Sequence, residues 1–368
     1  MSKPLLGILT LYKNKRKEIE ERHVYEKMIV AGHQLDMDVC VFTPQDVDHT
    51  RKKVHAMVYH SNTGVWTRKW SLLPDLIFDR CRNQRSAQFS SMKHFRAKFG
   101  HLTFLNQPLR NKWKIYKMLS HSPEFRKVLP DTVLYSEPQD IYNMLNKVGM
   151  VYVKPINGTG GRGILRLERK KNHPNYLYVE GRNRNRRVIR PQYVKLNRLR
   201  TYMKAWAQQD RYIVQRGIAL KLSNGKVHDY RMLVQKDEYG KWSITGSVGR
   251  VGAHNSVTSN LHGGGHAVPM RALLQRWIGD QRRIDSIQHN VEKEGIRIVK
   301  FLEKKCGSLC ELALDWAIDK QGRYWLLEVN PKPSREVFKG IGDKAAYHKA
   351  VIQPIRYAKW IYMNKSKR

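Results

Sequence analysis

The feature that most restricts how this chain can fold is a glycine-rich loop held between two stretches of strand-like alternation. Residues 151–154 (Val-Tyr-Val-Lys) and 164–168 (Ile-Leu-Arg-Leu-Glu) both alternate with period two. Between them stand Gly158, Gly160, Gly161 and Gly163, whose freedom lets backbone amides turn inward and approach a polyphosphate closely. The spacing from Gly158 to Gly163 matches GxGxxG, but the dinucleotide-binding form of that motif needs a helix directly after the loop, and a strand follows here. No GxxxxGK[ST] occurs, so a P-loop is absent too. Two readings remain open: a flap over nucleotide phosphates, with Lys154 supplying charge from the strand before it, or a flexible surface hairpin carrying a surface lysine.

Around this loop the pattern changes along the chain. Residues 5–9, 39–42 and 76–78 read as strands, and 18–31 and 86–98 as helices. This is a βαβ-like opening, an open α/β unit ending near residue 105. Helices are expected at 111–119 and 138–147. After the glycine loop come strands at 211–215, 227–235 and 242–248, a long helix at 284–305, strands at 309–319 and 324–330, and a closing helix at 344–363. The whole reads as α+β, with antiparallel sheets following an α/β start.

Composition narrows the function classes. The 368 residues include 69 Lys+Arg against 31 Asp+Glu, a net charge of +38, while 41% hydrophobic content excludes a disordered basic tail. Four cysteines form no disulfide framework. A reduced, cytoplasmic setting is expected, with neither a secretory leader nor a membrane span. The charge predicts an anionic partner without naming it. It is densest at residues 181–204, where nine bases occur with no acid. That block is either a polyanion-binding patch or a solvated loop. Its only aromatic residues are Tyr193 and Tyr202, too few for a base-stacking platform.

Against this background residues 311–336 stand out, with five acids and four bases. Alternation puts Glu311, Asp315 and Asp319 on one face of the first strand, and Glu328 and Asn330 on one face of the second. A two-residue turn at Gln321-Gly322 would set Asp315 opposite Glu328. Opposed carboxylates repel unless a cation sits between them, and Asp, Glu and Asn oxygens suit Mg²⁺ shared with phosphates. The alternative is a solvated polar face in another register, with Asp319, beside the turn, facing solvent. Asp229 and Arg231, two apart on one strand, are expected to form an exposed salt bridge unless they serve a site. His262 and His266 fit no zinc spacing.

A glycine hairpin with a preceding lysine, followed downstream by Asp…Glu-x-Asn on paired strands, resembles the ATP-grasp superfamily. Tyr212-Ile-Val-Gln-Arg-Gly-Ile218, His228-Asp-Tyr-Arg-Met-Leu-Val-Gln235, Trp242-Ser-Ile-Thr-Gly246, Val257-Thr-Ser-Asn-Leu-His-Gly-Gly-Gly265 and Leu326-Leu-Glu-Val-Asn-Pro-Lys-Pro333 resemble, within it, the YheC/YheD family of endospore coat-associated proteins. The resemblance implies an N-terminal α/β domain over 1–105 and an ATP-grasp domain over 106–368, the latter split into a flap part (about 125–218) and a metal part (about 219–368). It also implies roles for individual residues. Lys112, Lys154, Gly158, Gly160, Gly161 and Gly163 would hold ATP phosphates, and Gln215, Arg216, Gly217 and Ile218 the adenine. Asp315, Glu328 and Asn330 would hold Mg²⁺, and Arg231, Arg250 and Asn260 would face the transferred phosphoryl group or an acidic substrate. The implied activity is carboxylate–amine ligation through an acyl phosphate, on acid and amine substrates that the sequence does not name. Two other classes stay open: a nucleotide-binding coat component without turnover, and a basic protein binding nucleic acid or another polyanion such as a spore component.

Overall fold

A computed structural model of the protein describes residues 3–82, 88–109, 111–158, 160–207 and 210–365. Thr159, in the glycine loop, and the His262 side chain lie outside this description. The described strands form three sheets. In the first, Asp38–Phe42, Leu5–Leu9, Leu76–Asp79 and Thr103–Phe104 run parallel, and the hairpin Lys53–His60/Val65–Leu72 adds antiparallel strands beside Asp38–Phe42. The second is antiparallel, in the order Val188–Lys195, Tyr176–Arg182, Ile164–Arg169, Met150–Pro155, Tyr212–Arg216, Thr132–Leu134. The third is also antiparallel, in the order His266–Pro269, Trp242–Val251, His228–Lys236, Glu311–Ile318, Tyr324–Asn330.

Each sheet buries its apolar face against helices whose apolar residues recur at helical spacing. In the helix Gln281–Cys306, Ile284, Ile287, Val291, Ile298 and Leu302 are buried. They pack with Leu312, Leu314 and Trp316 of the third sheet. The second sheet sets Val151, Val153, Leu165 and Leu167 against Ile141 and Leu145 of the helix Pro138–Val148 and Met203 of the helix Leu199–Trp206. The C-terminal helix Lys344–Lys365 joins the first and third sheets, its Ala350, Val351 and Ile355 sharing one core with Leu6, Val24 and Met28 on one side and Leu233 and Val248 on the other. All eight residues of Glu311–Ile318 are buried because both faces of that central strand are covered.

Several expectations shift. The first helix begins at Arg22 rather than at 18, since Glu21 adopts the left-handed region (φ 53°), which breaks a right-handed helix. The hairpin Lys53–His60/Val65–Leu72 was not legible: its outer strand buries little, and its Thr67-Arg68-Lys69 centre hides the alternation. The solvated-loop reading of 181–204 fails, because this segment spans the end of one strand, the strand Val188–Lys195 and most of a helix.

Asp315 does pair with Glu328, but by a different route from the one expected. The turn holds three residues: Asp319 N bonds Arg323 O at 2.9 Å, and Gly322 sits at φ 77°. A bulge at Leu327 then takes up the one-residue difference, with Trp316 opposite Leu326 and Asp315 opposite Glu328. Asp319 is buried rather than solvent-facing, because its carboxylate accepts from the Arg323 amide and guanidinium, both at 2.9 Å.

Candidate active site

The second and third sheets face each other across a cleft that residues of both line. One wall comes from the glycine loop and the strands that flank it. Gly160, Gly161 and Gly163 all have φ between 65° and 73°, a region costly for other residues. A side chain at Gly161 would also come within 2.7 Å of Asn260 Nδ2. The loop therefore packs directly on the 256–265 segment, and glycine permits that approach.

Two ammonium groups reach the cleft from separate segments. Lys154, on Met150–Pro155, donates to Gln215 Oε1 at 2.7 Å and lies 5.3 Å from the centre of the Tyr152 ring. Burial pulls its pKa down to about 8, with repulsion from Lys112 adding to this and Glu328, Asp229 and Asp315 opposing it. Lys112 opens the helix Lys112–Ser120, which is capped by the Asn111 side chain. Its Nζ donates to the Gly158 carbonyl and lies 3.3 Å from Glu328 Oε1.

The opposite wall is an interlocked set of charges on the third sheet. Arg231 donates to both Asp315 oxygens at 2.8 Å. Arg250 donates to both Asp229 oxygens, at 2.7 and 2.5 Å, and reaches Asp315 Oδ2 at 3.0 Å. Asn330 Nδ2 donates to the same oxygen at 3.1 Å. Burial alone would raise the Asp315 pKa, but the guanidiniums of Arg231 and Arg250 outweigh it and hold the carboxyl down at about 2. Asp229 and Arg231 do not pair with each other as expected. Each instead faces a partner directly across the strands, Asp229 opposite Arg250 and Arg231 opposite Asp315. Directly opposed residues lie closer than residues two apart along one strand.

Nearly all the residues singled out in the sequence meet here. Lys112, Lys154, Gly158, Gly160, Gly161, Gln215, Arg216, Ile218, Arg250, Asn260, Asp315 and Glu328 line the cleft, whereas Gly163, Gly217, Arg231 and Asn330 do not, although Arg231 and Asn330 bond Asp315. Along the 215–218 segment, the Arg216 and Gly217 amides already donate to Asp131 and Met150 carbonyls. Sequence reasoning missed Asp229 as an anchor for Arg250 and Arg162 as part of the lining. The signal for Asp229 lay in the strand register, which a single strand does not disclose.

No group of three or more His, Cys, Asp or Glu able to hold a metal occurs among the described residues. The Asp315/Glu328/Asn330 set nevertheless fits a cation shared with phosphates. Among the described residues Asp315 Oδ2 takes three donors, but Oδ1 takes only Arg231 Nε, and a carboxylate oxygen has about two acceptor sites. Oδ1 therefore keeps an open acceptor position. Glu328 Oε1 faces Lys112 at 3.3 Å, and the Asn330 amide oxygen could supply a further oxygen ligand.

Comparison with known proteins agrees with this architecture. The endospore coat-associated protein YheC of Bacillus subtilis (strain 168) is 27% identical over 303 residues, covering 80% of either chain. The crystal structure of D-cycloserine synthetase DcsG superposes with a TM-score of 0.55 at 11% identity, over 95% of this chain and 99% of that one. The ADP complex of N5-carboxyaminoimidazole ribonucleotide synthetase gives 0.54 at 10% identity, over 95% and 77%. These structural likenesses establish the fold. Residues 101–361 match the family described as YheC/D like ATP-grasp, and the chain belongs to that family.

Proposed function

We propose that the cleft binds ATP together with Mg²⁺ and that the protein is an ATP-dependent carboxylate–amine ligase working through an acyl phosphate. The observation that carries this reading is the convergence, in one cleft, of the glycine loop, two ammonium groups from separate segments and an acid–amide face on the opposing sheet. Lys112 and Lys154 bind the phosphates, and the amides at Gly158, Gly160, Gly161 and Gly163 close over them. Gln215, Arg216, Gly217 and Ile218 flank the adenine. The Ile218 amide, unused by any described residue, is the free donor there.

Asp315, Glu328 and Asn330 would hold Mg²⁺, which when bound would neutralise phosphate charge. Arg250, fixed by Asp229, keeps positive charge at the reacting end, and Arg231 positions Asp315. Asn260 closes that end against the loop. A substrate carboxylate oxygen attacks the γ-phosphorus, the bond to the ADP oxygen breaks, and an acyl phosphate forms. The amine nitrogen then attacks the acyl carbon, phosphate leaves, and the nitrogen loses a proton as the amide forms. No protein nucleophile is required, and the closed loop keeps water from the acyl phosphate.

The N-terminal unit, residues 1–105, and the ATP-grasp unit, 106–368, are assigned on the same reading, as is an association with the spore coat, carried over from the name of the YheC relative. Incubation with Mg·ATP, hydroxylamine and a panel of carboxylic acids tests the chemistry. Hydroxamate and ADP are expected from at least one acid. Silence across the panel, with unaltered ATP affinity in Asp315→Asn and Glu328→Gln, would favour a nucleotide-binding protein without turnover.

A further inference from the structure

Arg162, Arg182 and Arg186 form a cluster of cations beside the glycine loop. Arg182 ends the strand Tyr176–Arg182, directly opposite Ile164, where the chain leaves the loop. Arg186 sits at φ 65° in the turn after it, fixed by Asn183, whose carbonyl accepts from the Arg186 amide and whose side chain accepts from the Arg187 amide, both at 3.0 Å. A side chain at Gly160 would lie 2.9 Å from Arg186 Nη2, and one at Gly263 only 1.9 Å from Arg182 Nη1. The Arg186 guanidinium thus lies against the glycine loop and that of Arg182 against Gly263.

None of the three has an acidic partner among the described residues, unlike Arg184, which meets Asp210 at 3.3 Å. Arg182 is only 4% exposed, and Arg162 Nε, Arg182 Nη1 and Arg186 Nε are buried without a hydrogen-bond partner. Burial, followed by repulsion from Arg162 and Arg182, lowers the pKa of Arg186. A buried guanidinium without counter-charge, as at Arg182, is costly, and an oxyanion bound by it and its neighbours offsets this cost. Only Arg162 also lines the cleft; Arg182 and Arg186 lie outside its lining.

We infer that Arg162, Arg182 and Arg186 form an oxyanion subsite, distinct from the nucleotide phosphate site, that receives a second negatively charged group on the substrate. The inference rests on the ligase reading for the word substrate, but not for the binding itself. It absorbs part of the basic block whose charge ATP does not account for. An acceptor or acid substrate bearing a phosphate or an extra carboxylate would be held here while its reacting group lies in the cleft.

The test titrates inorganic phosphate, and in a second arm tetraglutamate, into the full-length protein by calorimetry, with and without saturating Mg·ADP. Binding of either anion is expected in the presence of Mg·ADP, and the tighter of the two identifies the charged group. Arg186→Gln and Arg162→Gln should each weaken it about tenfold, as loss of one charge-assisted bond does, and Arg186→Gln, which lies outside the cleft lining, should leave ADP affinity within twofold. Both residues are partly exposed, so these variants do not depend on replacing the buried Arg182. Loss of anion binding on Lys154→Ala but not on Arg186→Gln would overturn the inference, as would ADP affinity falling in step with anion affinity. Absence of anion binding in both arms would overturn it as well. Failure of ADP to bind at all would count against the nucleotide reading alone, because the titration without nucleotide still reads the subsite.

Discussion

Asp315 stands directly opposite Glu328 on paired strands, yet the two carboxylates have opposite surroundings. Asp315 is 4% exposed and held by two arginines and an asparagine, whereas Glu328 is partly exposed at the cleft with Lys112 as its neighbour. Removing each charge should therefore separate stability from chemistry.

Asp315→Asn leaves the half-buried Arg231 without its carboxylate and the buried Arg250 with Asp229 alone, and should destabilise the protein by about 3 kcal/mol in urea unfolding at pH 6. Because the folded carboxyl is held at about 2, below its ordinary value near ~3.9, the stability it contributes is fully present above that ordinary value. It is lost as pH falls toward 2. The gap between wild type and Asp315→Asn should accordingly narrow from pH 4 to pH 2. A constant gap would contradict the pairing.

Glu328→Gln should change stability by about 1 kcal/mol or less, since this partly exposed pair has a single ammonium neighbour and remains open to solvent. It should lower turnover in the hydroxamate assay about a hundredfold or more, as for loss of a charge positioned for the transition state. Unfolding curves and rates on one preparation check both halves.

Lys154 carries an ammonium whose pKa burial has brought down to about 8. Phosphate binds the protonated form, so ADP affinity in the free protein should fall as pH rises through that value. In Lys154→Arg, whose guanidinium stays charged, the profile should be flat from pH 7 to 9. Calorimetric dissociation constants across that range decide the matter; a wild-type profile as flat as the variant's would show that Lys154 does not meet the phosphates.

Gly161→Ala adds a methyl at φ 73° and at 2.7 Å from Asn260 Nδ2. The left-handed backbone costs a residue with a side chain about 1–2 kcal/mol, so the loop should be displaced from the 256–265 segment while the sheets stay intact. The expected result is unchanged circular dichroism with kcat/KM for ATP reduced about tenfold or more.

Much of the site was legible because its residues lie in local patterns: a strand, a glycine loop, a strand, and later Asp…Glu-x-Asn on a hairpin. The Asp315–Glu328 pairing was reached through a two-residue turn that the protein does not use; the bulge at Leu327 offsets the longer turn. What escaped depends on which strands become neighbours. Arg250 meets Asp229 across a strand pair. Glu311 shares the strand face of Asp315, but it is wholly buried between Arg80 and Arg335, where three distant segments converge. No periodicity along one strand encodes such contacts. The basic block was visible only as charge, and its division into paired and unpaired arginines appears only when the loop, the turn after Arg182 and the 256–265 segment are packed together.

The most direct test of the account is calorimetric binding of Mg·ATP to the wild-type protein and to Lys112→Ala and Lys154→Ala, with thermal unfolding run alongside. One site per chain is expected in the wild type, weakened about tenfold or more in each variant without loss of the folded state. Equal affinity in all three proteins, or no binding by the wild type, would contradict the assignment of the cleft to ATP.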